Sequence, residues 1–167
     1  ASYYGLISYM DDNVGKILAA LEASGAAEDT LVVYTSDHGD MIGNHGFWAK
    51  CTMYEDSAGV PLVMAGPGVE DGKVVSDPCS LLDIYPTVLD VAGIEPQLDA
   101  APRTGVSLLK AAGGEAPGRT ILSEYHDGGC KSGFYMVRWD HWKYIDYLSY
   151  PPQLFDLDAD PKELNDL

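Results

Sequence analysis

The chain has 167 residues, with 10 Lys and Arg against 26 Asp and Glu, a formal charge of −16. That balance excludes charge-driven binding to nucleic acid, which needs clustered Lys and Arg, and makes an anionic membrane surface a poor partner. The 46% hydrophobic content excludes global disorder and supplies enough apolar side chains for a packed core.

In chain order, Ile7, Met10, Val14, Ile17, Leu18 and Leu21 recur at helical spacing, with Asp11, Asp12, Lys16 and Glu22 opposite them. They predict an amphipathic helix that stops at Ser24-Gly25. Thr30–Thr35 is β-branched and nearly continuous in its apolar run, the pattern of a strand buried on both faces of a parallel sheet. Residues 36–59 are polar, Gly-rich and non-periodic, a long connection of the kind that carries function. Val60–Ala65 predicts a second buried strand, stopped by Gly66-Pro67-Gly68. Asp77 is a candidate N-cap for a helix carrying Leu81 to Val91, with Pro86 imposing a kink or a late start near Ile84. Residues 95–119 read as a surface connection. The period then changes: Ile121–Tyr125, Phe134–Trp139 and Trp142–Tyr147 predict short strands, with Asp140-His141 as a hairpin turn and Gln153–Leu157 as a short edge strand. The expected organisation is an α/β part over 1–119 followed by a small antiparallel β subdomain over 120–167.

Cys51, Cys79 and Cys130 stand at wide spacing with no Cys-x-x-Cys pair, which predicts free thiols in a reducing, cytoplasmic setting. No apolar run approaches the ~20 residues needed to cross a bilayer.

The strongest chemical signal is Ser36-Asp37-His38-Gly39, directly after the first predicted strand. Ligands of open α/β sheets bind beyond the carboxyl ends of strands. A carboxylate and an imidazole side by side there can reach one divalent cation, their mixed O and N donors suiting zinc or manganese, an all-oxygen set calcium or magnesium. The competing reading is an Asp that caps the next turn and a His satisfied by a backbone carbonyl. Lys50, thirteen residues past Asp37, can bind a sulfate or phosphate oxygen as a point charge, or be an ordinary surface Lys. His45, in the same loop, and His126, in a Gly-rich stretch after a strand, are candidates to contact substrate or act as general acid. His141 sits in the hairpin turn and is read as structural. Trp48 either lines a pocket or anchors the loop into the core, the anchor being favoured. Tyr125, Tyr147 and Tyr150 could supply aromatic faces for a quaternary ammonium.

Thr35–Asp56, followed by Val60-Pro-Leu-Val-Met-Ala-Gly-Pro-Gly, closely resembles the sulfatase family of the alkaline phosphatase superfamily. Met136–Ile145 and the closing Pro152–Leu167 resemble that family's C-terminal hairpin and final segment. The resemblance runs through nearly the whole chain in the family's order. It implies an alkaline-phosphatase-like mixed sheet flanked by helices, then a small antiparallel subdomain. It implies Asp37 and His38 as metal ligands for Ca, Mn or Zn, and Lys50 as the contact to the sulfate or phosphate group of a small anionic ester. The Asp-His pair with its following Lys leans toward the choline-sulfatase and phosphonate monoester hydrolase branch. The family's nucleophile starts a Cys/Ser-x-Pro-x-Arg motif, its Cys matured to formylglycine. Cys51, Cys79 and Cys130 do not start that motif, and Asp11-Asp12 falls in mid-helix, unlike the family's first metal-binding pair. The resemblance therefore implies the C-terminal portion of a longer sulfatase, with formylglycine and half of the metal site in a missing N-terminal part. That portion is expected to be inactive alone. A phosphonate monoester or phosphodiester hydrolase, a non-catalytic sulfatase-like binding module, and assembly into a homo-oligomer are the alternatives and additions kept open here.

Overall fold

A computed structural model describes residues 2–95, 104–115, 118–127 and 131–167. Cys130 and parts of the 95–119 connection therefore lie outside the described residues. The chain divides into two compact units, residues 1–34 with 63–71, and residues 35–62 with 72–167.

The first unit holds helix α1 (Ser2–Ala23) and the pair of strands β1 (Val32–Thr35) and β2 (Leu62–Ala65), which hydrogen-bond to one another. Helix α1 ends as its sequence directs: Gly25 takes a left-handed φ of 75° and its N–H reaches the carbonyl of Glu22 at 3.0 Å. No residue of α1 is buried, and Leu6, Ile7, Tyr9, Met10, Ile17 and Leu18 are all exposed. Both strands are shorter than predicted and only half-buried or exposed, so the full burial expected of them does not occur within the described residues. Gly66, at φ 123°, has no room for a side chain: a Cβ there would lie 2.4 Å from the Thr30 carbonyl oxygen.

The second unit is built on a four-stranded antiparallel sheet in the order β3 (Thr120–Tyr125), β4 (Phe134–Trp139), β5 (Trp142–Tyr147), β6 (Tyr150–Asp156). The two-residue Asp140-His141 turn joins Trp139 to its partner Trp142, with Asp140 at φ 47° as a tight hairpin turn requires. Strand β6 begins earlier than predicted and runs through Pro151-Pro152. An edge strand tolerates prolines because one side of it has no ladder to complete. Alternation places Phe134 and Met136 of β4 and Ile145 of β5 on one face. Met53 and Phe155 join them to form the core, with Tyr54, Ala58, Tyr125, Tyr147 and Leu157 packed around it. Each such side chain contributes about 1.5–3 kcal/mol on full burial.

Residues 81–91 form a 3-10 turn (Leu81–Asp83) that leads into helix α3 (Ile84–Val91); the short helix α2 (Glu55–Ala58) precedes it in the chain. Asp77 is not the N-cap. Ser80 is, in a capping box whose other half is Asp83. Ser80 is favoured because the Asp83 carboxylate can accept the Ser80 N–H at 2.8 Å while remaining paired with Arg119. The late helix start at Ile84 holds, with Pro86 in the first turn, where its missing N–H costs nothing. The 95–119 connection is not wholly irregular, since it carries helix α4 (Leu108–Ala112), whose Leu108 is buried.

Candidate active site

The chemistry-bearing loop follows β1. Four of its non-glycine residues, Ile42, His45, Ala49 and Cys51, have φ between 47° and 76°. Left-handed backbone is costly for such residues, for a β-branched Ile most of all, and it persists only where surrounding contacts over-determine it. Those contacts are visible: Met41 is fully buried, its N–H bonds the Ala49 carbonyl at 2.7 Å, and the Gly43 N–H bonds the Phe47 carbonyl at 2.8 Å.

Asp37, His38 and Lys50 come together. His38 Nδ1 lies 2.8 Å from the Gly39 carbonyl oxygen. A carbonyl can only accept, so Nδ1 carries the proton and the Nε2 lone pair is left facing outward. Lys50 Nζ is 2.7 Å from that Nε2, and Asp37 Oδ2 is 3.6 Å from it. Desolvation pushes the Asp37 carboxyl up, but the His38 N–H, the His38 ring, its own backbone N–H and Lys50 together outweigh it and hold the group below the ordinary carboxylate range. Its side chain is 83% exposed, so it is ionised and open to a ligand. The local hydrogen bonds of the competing reading are present: Asp37 Oδ1 accepts the His38 N–H at 3.0 Å, and the backbone carbonyl that satisfies one imidazole nitrogen orients the other. A metal-bound His is oriented by the same kind of contact.

These donors fit a divalent cation as part of its shell. Among the described residues no three His, Cys, Asp or Glu side chains converge on one point. Asp37 and His38 offer one oxygen and one nitrogen, short of the four or more ligands such ions take.

The trio opens on a cleft of about 1050 Å³ that also receives Cys51, Tyr125 and Arg138. A hydrogen bond with Cys51, desolvation and the Asp127 carboxylate push the Tyr125 phenol well above its ordinary value, so it stays a neutral donor at physiological pH. Arg119, also on the cleft, is held by Asp83 in a two-point pair at 2.7 and 2.8 Å. Arg138 Nη1 is buried without a hydrogen-bond partner. The chain thus concentrates three of its ten Lys and Arg around one cavity. Arg138 was legible: it continues the Phe134, Met136 alternation of β4 onto the inner face. Arg119 had no such signal, because its partner stands 36 residues away.

The other candidates lie elsewhere. His45 stacks on Tyr54 with ring centroids 4.0 Å apart, and its Nε2 is 3.0 Å from the Lys162 carbonyl, so the ring fastens the loop to the C-terminal segment. His126 stands edge-on to Tyr135 at 5.0 Å, with Nε2 3.6 Å from Glu124. Neither lines the cleft. His141 contacts Asp140 and Trp142, in keeping with a turn residue. Trp48 is 74% exposed, which overturns the expectation that it anchors the loop in the core. Tyr147 and Tyr150 share a separate cavity of about 510 Å³ with Phe47, Pro151, Pro152 and Asp166. Desolvation first, then nearby acidic groups, push Tyr147 up to about 12. Cys51 and Cys79 are exposed free thiols.

Comparison with known proteins agrees with this architecture. The sulfatase family profile matches residues 1–94. Over its whole length the chain is 42% identical to the human Arylsulfatase K, of which it covers 33%. The Choline-sulfatase of Rhizobium meliloti is 41% identical over 99% of the chain, which spans 32% of that protein. The crystal structure of the phosphonate monoester hydrolase of Agrobacterium radiobacter superposes on 98% of the chain and 36% of its own with a TM-score of 0.78 and 31% identity. The fold is thus the mixed α/β architecture of these hydrolases. The chain belongs to the sulfatase family and corresponds to the C-terminal portion, about a third, of the curated relatives it matches. Among the described residues no helix is long and apolar enough to cross a membrane.

Proposed function

We propose that this chain is the C-terminal part of a metal-dependent sulfatase that hydrolyses a small sulfate ester, choline sulfate being a candidate. The observation that carries the reading is the convergence of Asp37 Oδ2, His38 Nε2 and Lys50 Nζ within 3.6 Å of a single imidazole nitrogen at the mouth of a large cleft. Asp37 and His38 would hold one side of a divalent cation, Ca, Mn or Zn, which would supply positive charge to the sulfuryl oxygens. Lys50 directs its ammonium at the same place and binds a sulfate oxygen, taking up the negative charge that develops as the ester bond breaks. Its ammonium lies 2.7 Å from His38 Nε2, which puts the positive charge beside the pair that would hold the cation. The nucleophile, formylglycine by family resemblance, and the remaining ligands belong to sequence upstream of this chain.

The test is the full-length protein assayed in parallel on an aryl sulfate, choline sulfate and an aryl phosphonate monoester. We expect sulfate ester turnover that a chelator abolishes and a divalent cation restores. Lys50→Ala should lower kcat about 100- to 1000-fold, the loss seen when one charge-stabilising donor is removed. A preference for the phosphonate ester would move the enzyme to the neighbouring hydrolase branch, to which the chain is also similar at 31% identity. Unchanged turnover in Lys50→Ala would remove that residue from the site.

A further inference from the structure

The described residues contain a fully buried ammonium that the proposed chemistry does not use. Lys143, the second residue of β5, is 0% exposed. Its ammonium donates to the Met53 carbonyl at 2.8 Å and forms ion pairs with Glu55 Oε1 at 2.5 Å and Glu163 Oε1 at 2.8 Å. Two carboxylates thus balance one buried positive charge. Glu163, only 3% exposed, sits at φ 54°, a strained setting for a Glu, and its second oxygen accepts the Glu55 N–H at 2.6 Å. The C-terminal segment is thus pinned to the first residue of α2 and, through Lys143, to the central sheet.

Both arms of the candidate site hang from the segment that this cluster holds. On one side, Met53 lies three residues beyond Lys50. On the other, the Gly39 N–H bonds the Ser57 carbonyl at 2.8 Å, one residue past His38. A Cβ on Gly39 would stand 2.1 Å from the Asp56 carbonyl oxygen, so the Asp37-His38-Gly39 backbone rests directly on α2. A buried ion cluster is a weak source of stability, since well-packed apolar groups of equal volume often do as well or better. What it supplies is placement: one carbonyl and two carboxylates hold one ammonium between α2, β5 and the C-terminal segment.

We propose that Lys143, Glu55 and Glu163 form a positioning clamp that sets the Asp37-His38 pair and Lys50 in register with each other. None of the three is a catalytic residue. The inference rests on the proposed roles of Asp37, His38 and Lys50, and it assigns the C-terminal segment a part in site geometry.

The experiment uses the full-length protein with Glu163→Gln, and Glu55→Gln as a milder second variant because its side chain is half-exposed. Amide hydrogen exchange and steady-state kinetics are read on each. We expect exchange at residues 37–40 and 50–58 to quicken at least 10-fold while the β4–β5 hairpin, residues 134–147, stays within 2-fold of wild type. We expect kcat to fall 10- to 100-fold with the global unfolding midpoint little changed in Glu55→Gln. Exchange that quickens equally in the hairpin, or in neither place, overturns the clamp, and so does loosening of 37–40 and 50–58 with kcat unchanged. If the wild-type protein hydrolyses neither sulfate nor phosphonate esters, the functional reading falls, and the exchange map alone still decides whether the clamp holds the two arms.

Discussion

Asp83 carries no sequence motif that singles it out. Its side chain is fully buried and accepts from the Ser80 and Val106 N–H groups as well as from both Arg119 nitrogens. Burial alone would raise its carboxyl, but the Arg119 hydrogen bonds and the two backbone donors outweigh it and hold it below the ordinary 3.8. A group whose folded pKa is depressed adds stability above its unfolded pKa and loses it as pH falls through the folded value. The Asp83 contribution is therefore intact at neutral pH and is lost below about pH 4. Replacing Arg119 by Met leaves the carboxylate buried and unpaired, and we expect a loss of about 3–5 kcal/mol at pH 7. That loss should shrink in acid. A urea denaturation series from pH 7 to pH 3 reads both, and a penalty independent of pH would show that the ion pair is not its source. His38 makes a similar point. Its neighbours in sequence supply both the carbonyl that sets its tautomer and the carboxylate beside it, so that much was legible from Ser36-Asp37-His38-Gly39. The roles of His45 and Trp48 were not, because left-handed backbone at His45 and Ala49 re-aims the loop in a way residue types do not announce.

At the scale of elements, α2 has only four residues, but the site depends on it. Its backbone receives Gly39 on one side, and its first residue receives Glu163 on the other. Gly39 is needed here for the close approach, since its φ is not in the left-handed region. Gly39→Ala should force the Asp37-His38 backbone off α2. We expect a cost of about 1–3 kcal/mol, typical of overpacking a tight contact, and a fall in ester turnover larger than the change in thermal midpoint would suggest. Equal turnover in Gly39→Ala and wild type would mean that the loop adapts elsewhere. The antiparallel sheet was the most legible element, because period-2 patterning and the Asp140-His141 turn both depend on neighbours in sequence. The Asp77 cap failed for the opposite reason: Ser80 caps the turn in a capping box whose acidic half, Asp83, is held by Arg119, 36 residues away.

For the molecule as a whole, the dominant observation is the 22-residue α1 with no buried residue, despite its run of Leu, Ile, Met and Tyr side chains. Exposed apolar surface of this extent marks a face that something normally covers. Together with a span of about a third of the relatives' length, it leads us to expect that the 167-residue chain purified alone binds a hydrophobic dye, self-associates and releases no sulfate from an ester. Co-expression with the preceding part of the same protein should suppress dye binding and restore turnover. A monomeric, dye-silent chain with turnover of its own would contradict this.

The amino-acid sequence by itself determined the order of the elements, the antiparallel C-terminal strands, the family, and the pairing of Asp37 with His38 near Lys50. All of these are written in local periodicity or in contiguous motifs. Only the tertiary structure decided that Lys50 meets the imidazole directly, that His45 and His126 stand away from the cleft, and that Lys143, Asp83 and Glu163 are buried. The reason is that no contiguous motif records which side chains meet. Lys50 reaches His38 across a 12-residue loop, Lys143 reaches Met53 across 90 residues and Glu163 reaches Glu55 across 108, and a charge leaves water only where it finds such partners.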